Sequence, residues 1–156
     1  MGFDGEAAVS QELIQIIAAG IAGCGFAMMF HIRPKYLPLV LIGAGLSWFV
    51  YLQAKSLTGN RGMAMITAAM VVTIYSEILA RVVKLPVSVI YTPTVVPLLP
   101  GSHLYYCMRG FVSDSYAEFT EYGNLLLIDT LGIVLGSLIV LTFVSAITSK
   151  RNRKNQ

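Results

Sequence analysis

An all-α integral membrane protein with five transmembrane helices, the fourth of them broken, is what this 156-residue sequence predicts. Three observations carry the prediction. Hydrophobic residues make up 56% of the chain and charged residues only 12%, against about 25% charged in an ordinary soluble domain. Mean hydropathy is +0.71, so too little polar surface is present to cover a soluble domain of this size. The charges are also clustered, and the stretches between them are long enough to cross a hydrocarbon core of about 30 Å, which takes about 20 helical residues. A soluble enzyme, a disordered tail and a nucleic-acid-binding protein are excluded. The net charge of +3 therefore bears on membrane orientation and not on phosphate binding.

Span one is placed at about 11–31. Leu13 to Phe30 is charge-free, and Ala18, Ala19, Gly20, Ala22, Gly23, Gly25 and Ala27 make it rich in small residues. Small side chains let helix backbones approach closely where lipid supplies no hydrophobic drive. Asp4 and Glu6 precede it, with no Lys or Arg before Arg33. It thus lacks the positive start of a signal peptide and is expected to stay in the mature protein. His31 falls at its membrane boundary. Span two, about 37–55, carries Gly43 and Gly45, with Tyr36, Trp48 and Tyr51 as packing or interface aromatics. Span three, about 63–83, is charge-free to Ser76 and continues through Glu77 and Arg81. Span four is placed at 87–112 and span five at 122–148, the latter with Asp129 and the pair Gly132-x-x-x-Gly136. Residues 1–156 form one membrane domain, with no linker for a second.

Basic residues orient the spans, because Lys and Arg concentrate on the cytoplasmic side. With five crossings and the C-terminus inside, the inner segments hold Arg33, Lys35, Arg81, Lys84, Lys150, Arg151, Arg153 and Lys154, while the outer ones hold only Lys55, Arg61 and Arg109. A four-crossing arrangement leaves almost no bias. The expected topology is N-terminus out and C-terminus in.

Span four differs from the others. Pro93, Pro97 and Pro100 are spaced by four and three on one helical face, and Gly101-Ser102-His103 follows. Each proline removes a backbone hydrogen bond. The expectation is a half-helix over about Val87–Val96, an unwound stretch near 97–101, and a second half-helix from Ser102 to Val112, with Ser102 as its N-cap. Unwound backbone at membrane depth persists only when buried in protein or lining a wet cavity. One reading makes the break an anion-receiving site at a half-helix N-terminus; the other makes it a kink that shapes packing.

The ionisable groups inside spans also carry two readings each. Asp129 is a proton or cation relay or a contact to a substrate amine, or else a carboxylate paired with a polar neighbour. Glu77 and Arg81 stand i, i+4 with the acid first, the favourable order for a helical pair; the alternative is a relay or gating role. His103 is a proton-handling imidazole, or simply hydrogen-bonds at a helix start. No nucleophile–base motif, phosphate-cradling loop or aspartate pair is present. Cys24 and Cys107 lie in apolar stretches without disulfide or zinc spacing. They read as small core residues, and neither a metal nor a cofactor is implied. The basic C-terminal run suits stop-transfer and anionic lipid.

The stretch Val96-Pro97-Leu98-Leu99-Pro100-Gly101-Ser102, late in a small five-span chain, resembles the threonine/serine exporter family, and within it the stand-alone small subunits. The Gly25-Phe26-Ala27-Met28-Met29-Phe30 end of span one, the short basic turn after it and the basic C-terminus extend the resemblance over most of the chain. It implies a subunit of a bacterial inner-membrane secondary exporter for small carboxylates, either threonine and serine or a succinate-type dicarboxylate, driven by the proton gradient. The implied partner is a larger subunit with a cytoplasmic N-terminal domain and its own membrane half; self-association is an open alternative. On this expectation Pro97, Pro100, Gly101, Ser102 and His103 bind substrate, and Asp129 and Glu77 handle the proton. The competing reading is a structural subunit without substrate contact. A membrane enzyme is disfavoured by the missing catalytic set.

Overall fold

A computed structural model describes residues 3–154, with side chains described over 10–147. Among them every element is helical: α1 (Phe3–Met29), a single 3-10 turn (Pro34–Tyr36), α2 (Leu37–Thr58), α3 (Arg61–Val83), α4 (Val87–Val95), a second 3-10 turn (Val96–Leu98), α5 (Gly101–Val112) and α6 (Tyr116–Lys154). The side chains of the C-terminal basic run Lys150–Lys154 and of Asp4 and Glu6 lie outside the described residues.

The helix ends follow local chemistry. Asn60 caps α3, its side-chain oxygen accepting from the amides of Gly62 and Met63, and Gly59 takes the left-handed conformation that ends α2. Three non-glycine residues, His31, Lys84 and Asp114, do the same work at φ of 55°, 56° and 54° after α1, α3 and α5. Each pays for that backbone with about 1–2 kcal/mol of steric cost. At His31 the amides of His31 and Ile32 reach back to the carbonyls of Met28 and Ala27, which closes α1 sharply before Pro34.

α3 is the centre of the bundle. Ala64, Ala68, Ala69 and Val72 are fully buried, and Tyr51 of α2, Val95 of α4, Leu98 of the second 3-10 turn and Ile133 of α6 complete the core around them. The alanines at spacings of four let neighbouring backbones close in. Outer faces are apolar and exposed, as at Ile14, Ile17 and Ile21 of α1 and Leu131, Leu135 and Leu138 of α6. That is the polarity of a multi-pass membrane protein, whose surroundings are lipid.

Contact pairs give the helix directions. α1 and α2 are antiparallel, with Gly20 against Leu41 and Gly45 against Ile16. α3 and α6 are parallel: Gly132 lies on Met65, and Gly136 on Ile66 and Ala69. α2 and α3, joined by the two-residue turn Gly59–Asn60 and packed side by side, are also antiparallel, so α1, α3 and α6 run the same way. Four helices are long and apolar enough to cross a membrane, namely Ser10–Met29, Pro34–Thr58, Arg61–Val83 and Tyr116–Ile147.

The fourth expected span is resolved differently. Val87–Leu98 is apolar but short, about 18 Å at 1.5 Å per residue, and α5 then packs on the first turns of α6 instead of entering the core. α6 is longer than the expected 122–148 because it begins at Tyr116. Its residues 116–128 run about 20 Å past the level where Arg61 opens α3. α5 and this extension form a helical hairpin. Gly110 lies against the backbone of Phe119, Arg109 pairs with Glu118 at 3.0 Å, and the Tyr106 and Tyr122 rings stack at 5.0 Å. Cys107 is buried between these helices and Cys24 is half-buried, both as free thiols, in keeping with the core roles expected of them.

Candidate functional site

The proline spacing builds the break where it was expected, with one correction. α4 ends at Val95, and the turn Val96–Leu98 is closed by the Leu99 amide donating to the Val96 carbonyl at 3.0 Å. Pro100, at φ −78° and ψ 56°, then forms an inverse γ-turn in which the Gly101 amide donates to the Leu99 carbonyl at 2.8 Å. α5 starts at Gly101, so the N-cap is Pro100 and not Ser102, and no side chain caps the helix. The rigid φ of Pro100 sets that start one residue early. Ser102 Oγ instead shares a hydrogen bond with His103 Nδ1 at 3.2 Å. Gly101 and Ser102 are exposed, and open space surrounds Gly101. Pro97 and Pro100 are half-buried.

Behind the break lies a buried run of hydroxyls that sequence reading did not single out. Because Pro97 has no N–H, the Pro93 carbonyl loses its helical donor, and it sits 3.1 Å from where a Cβ on Gly23 of α1 would stand. Thr94, fully buried, donates back to the carbonyls of Ile90 and Tyr91 at 2.8 Å. Ser76 of α3 approaches its hydroxyl at 3.4 Å, and Ser47 of α2 reaches its carbonyl at 3.4 Å. One turn earlier, the Tyr91 and Ser137 hydroxyls share a 2.7 Å hydrogen bond, and Thr73 donates to Ser137 at 3.3 Å. α4 is thus held by hydroxyls of α2, α3 and α6. Replacing Tyr91 with Phe is expected to lower stability by about 1 kcal/mol, measured as thermal unfolding of the purified protein in detergent. The β-branched and hydroxyl residues at Thr73, Ser76, Tyr91 and Thr94 were legible as polar positions in apolar spans, but their meeting depends on helix register.

Asp129 is fully buried and held by Arg61, Nε to Oδ1 at 2.7 Å and Nη2 to Oδ2 at 2.9 Å. The partner comes from the first residue of α3, 68 positions away in the chain. Glu77 and Arg81 form the expected i, i+4 pair at 3.3 Å, with Glu77 little exposed and Arg81 largely so. They line a small cleft of about 140 Å³ against Val144 and Ile147 of α6. The break, Asp129 and Glu77 occupy three separate places in the molecule.

At the end where α1 and α3 finish, a cleft of about 570 Å³ opens between the α1–α2 turn and α4. His31, Arg33, Tyr36, Ser88 and Thr92 provide its polar side chains, and Pro93 is among its other walls.

A family model described as Threonine/Serine exporter, ThrE matches residues 15–143, a range that contains the break, Asp129, Glu77 and the cleft. No curated protein and no solved structure matches the chain.

Proposed function

The chain belongs to the threonine/serine exporter family, and from that premise we propose that it is one membrane half of a proton-coupled secondary exporter in the bacterial inner membrane. The substrate class is the small carboxylate, threonine and serine foremost. The observation that supports this most is the common direction of α1, α3 and α6, which puts the chain's first and last crossings in the same sense. A half with an odd number of passages needs an oppositely oriented partner to complete an inverted repeat, with the site between the halves. That partner is the larger subunit with a cytoplasmic N-terminal domain, and the basic end of this chain, with Arg33, Lys35, Arg81 and Lys84, faces the cytoplasm.

On this reading Pro97, Pro100, Gly101, Ser102 and His103 form half of a substrate site. The uncapped α5 start directs the partial positive charge of its amides toward the exposed break, where the partner half supplies the opposite wall. Asp129 acts in proton coupling by exchanging Arg61 for a proton. Glu77, little exposed beside Arg81, is the second candidate for that step.

Export of labelled threonine from cells expressing this chain with its larger subunit tests the assignment. A Cβ at Gly101 meets no neighbour within 4 Å, and Asp129→Asn keeps an oxygen acceptor for Arg61, so Gly101→Leu and Asp129→Asn are both expected to reach the membrane. Export at least tenfold below wild type, at matched protein level, is the expected result for each. Normal export by both would leave this chain as a structural subunit whose partner carries the whole substrate path.

A further inference from the structure

We propose that the cleft between the α1–α2 turn and α4 is the entry site for the substrate's carboxylate, with Arg33 as its charged contact. Four observations converge on it. Its polar wall contains one arginine, one histidine and three hydroxyls, those of Tyr36, Ser88 and Thr92, with no carboxylate among the lining residues. Ser88 and Thr92 stand one helical turn apart on one face of α4, and both line the cleft. Among the serines and threonines described in α2, α3 and α4, these two alone make no hydrogen bond; Ser47, Ser56, Thr58, Thr67, Thr73, Ser76 and Thr94 all have partners. Serine and threonine in membrane helices ordinarily satisfy themselves on the preceding turn, so this pair is left available to something in the cleft.

The third observation is the start of α4. Its N-cap is Pro86, which offers no side-chain acceptor, and Ser88 and Val89 of that first turn line the cleft, with Leu85 just before the cap. The Val89 amide donates to the Pro86 carbonyl, and the amides of Val87 and Ser88, left without a backbone acceptor, add a partial positive charge to that of Arg33. The fourth is volume. About 570 Å³ falls within the usual range of small-molecule sites, about 300–1,000 Å³, and the apolar remainder of the wall suits a short aliphatic body. α4 then leads inward from Ser88 to Val96, about 12 Å, to the break. The assignment rests on the exporter reading above, and in the orientation given there the cleft opens to the compartment from which an exporter draws its substrate.

The test uses the full chain in phosphatidylcholine vesicles, with Cys24 and Cys107 replaced by alanine and Ser88→Cys as a reporter. Its modification rate is measured with a sulfonate-bearing methanethiosulfonate and with the trimethylammonium counterpart, each normalised to a free thiol. The anionic reagent is expected to be favoured about tenfold, within the range by which a charged cleft concentrates its counter-ion. Arg33→Gln is expected to abolish the preference and Arg33→Lys to retain it. Propionate and L-threonine should slow the reaction while propionamide does not. A reporter at Thr92→Cys repeats the measurement if Ser88→Cys folds poorly.

The same rate for both reagents, or a preference that survives Arg33→Gln, overturns the proposal. So does protection by added phosphatidylglycerol without protection by propionate, which would assign the cleft to a lipid phosphate. The readout needs neither partner nor transport. A charge-selective cleft in a chain that supports no export would count against the exporter reading alone, and export with an unselective cleft would count against this site alone.

Discussion

Arg61→Ala is expected to destabilise the protein by about 3 kcal/mol, the low end of the cost of removing one partner from a buried ion pair. The loss is large because the Asp129 side chain is fully buried while Arg61 keeps about a third of its own surface exposed. Truncating the arginine leaves a carboxylate without a cation or water, inside a bundle whose surroundings are apolar. Thermal unfolding in detergent measures it directly. Asp129→Asn should cost less, since an amide oxygen still accepts from the guanidinium. The double variant Arg61→Met with Asp129→Leu should recover most of the loss, because a buried pair is often no more stabilising than apolar residues of similar size. An Arg61→Ala protein as stable as wild type would show that the pair is not closed in the folded protein.

Gly136→Val is the second large effect. A Cβ at Gly136 would stand 2.5 Å from the Ile66 carbonyl oxygen and 2.9 Å from the Ala69 Cβ. The obstructing atoms belong to the backbone and first side-chain carbon of α3, so nothing flexible can turn aside. α6 has to separate from the central helix. Even Gly136→Ala is expected to cost about 1–3 kcal/mol through overpacking, and valine more, read as loss of folded protein on extraction and a lower unfolding temperature. Gly25 provides the contrast, since nothing lies within 4 Å of a Cβ there. Gly25→Ala should be neutral, or stabilising by up to about 1 kcal/mol through helix propensity. Equal behaviour of the two alanine variants would refute the close α3–α6 contact.

These two sites differ in how far the sequence announces them. The Gly132-x-x-x-Gly136 spacing marks a packing face without naming the helix it meets. The α3 residues it meets are Gly62, Met65, Ile66 and Ala69, a face that no four-residue spacing of small side chains marks. Asp129 is conspicuous as a lone charge, yet its partner 68 residues away depends on the relative register of two helices. The break was legible nearly to the residue, because prolines spaced by four and three forbid a continuous hydrogen-bond ladder whatever surrounds them. Ser102 is displaced from the expected cap position for the converse reason: the γ-turn at Pro100 depends on how α5 is led away from the bundle.

Composition and charge spacing alone determined that this is a multi-pass helical membrane protein, with apolar helices bounded by a few basic turns and an interruption after Pro93. Such properties follow from transfer free energies and backbone chemistry, which act residue by residue. Only the tertiary structure decided that α3 is the hub, that α5 leaves the core to pair with the start of α6, that Arg61 holds Asp129, and that His31, Arg33, Ser88 and Thr92 share one cleft. Each of these is a meeting between helices far apart in the chain. A uniformly apolar helix face fits many registers almost equally well, and close steric packing of small residues selects the one that forms.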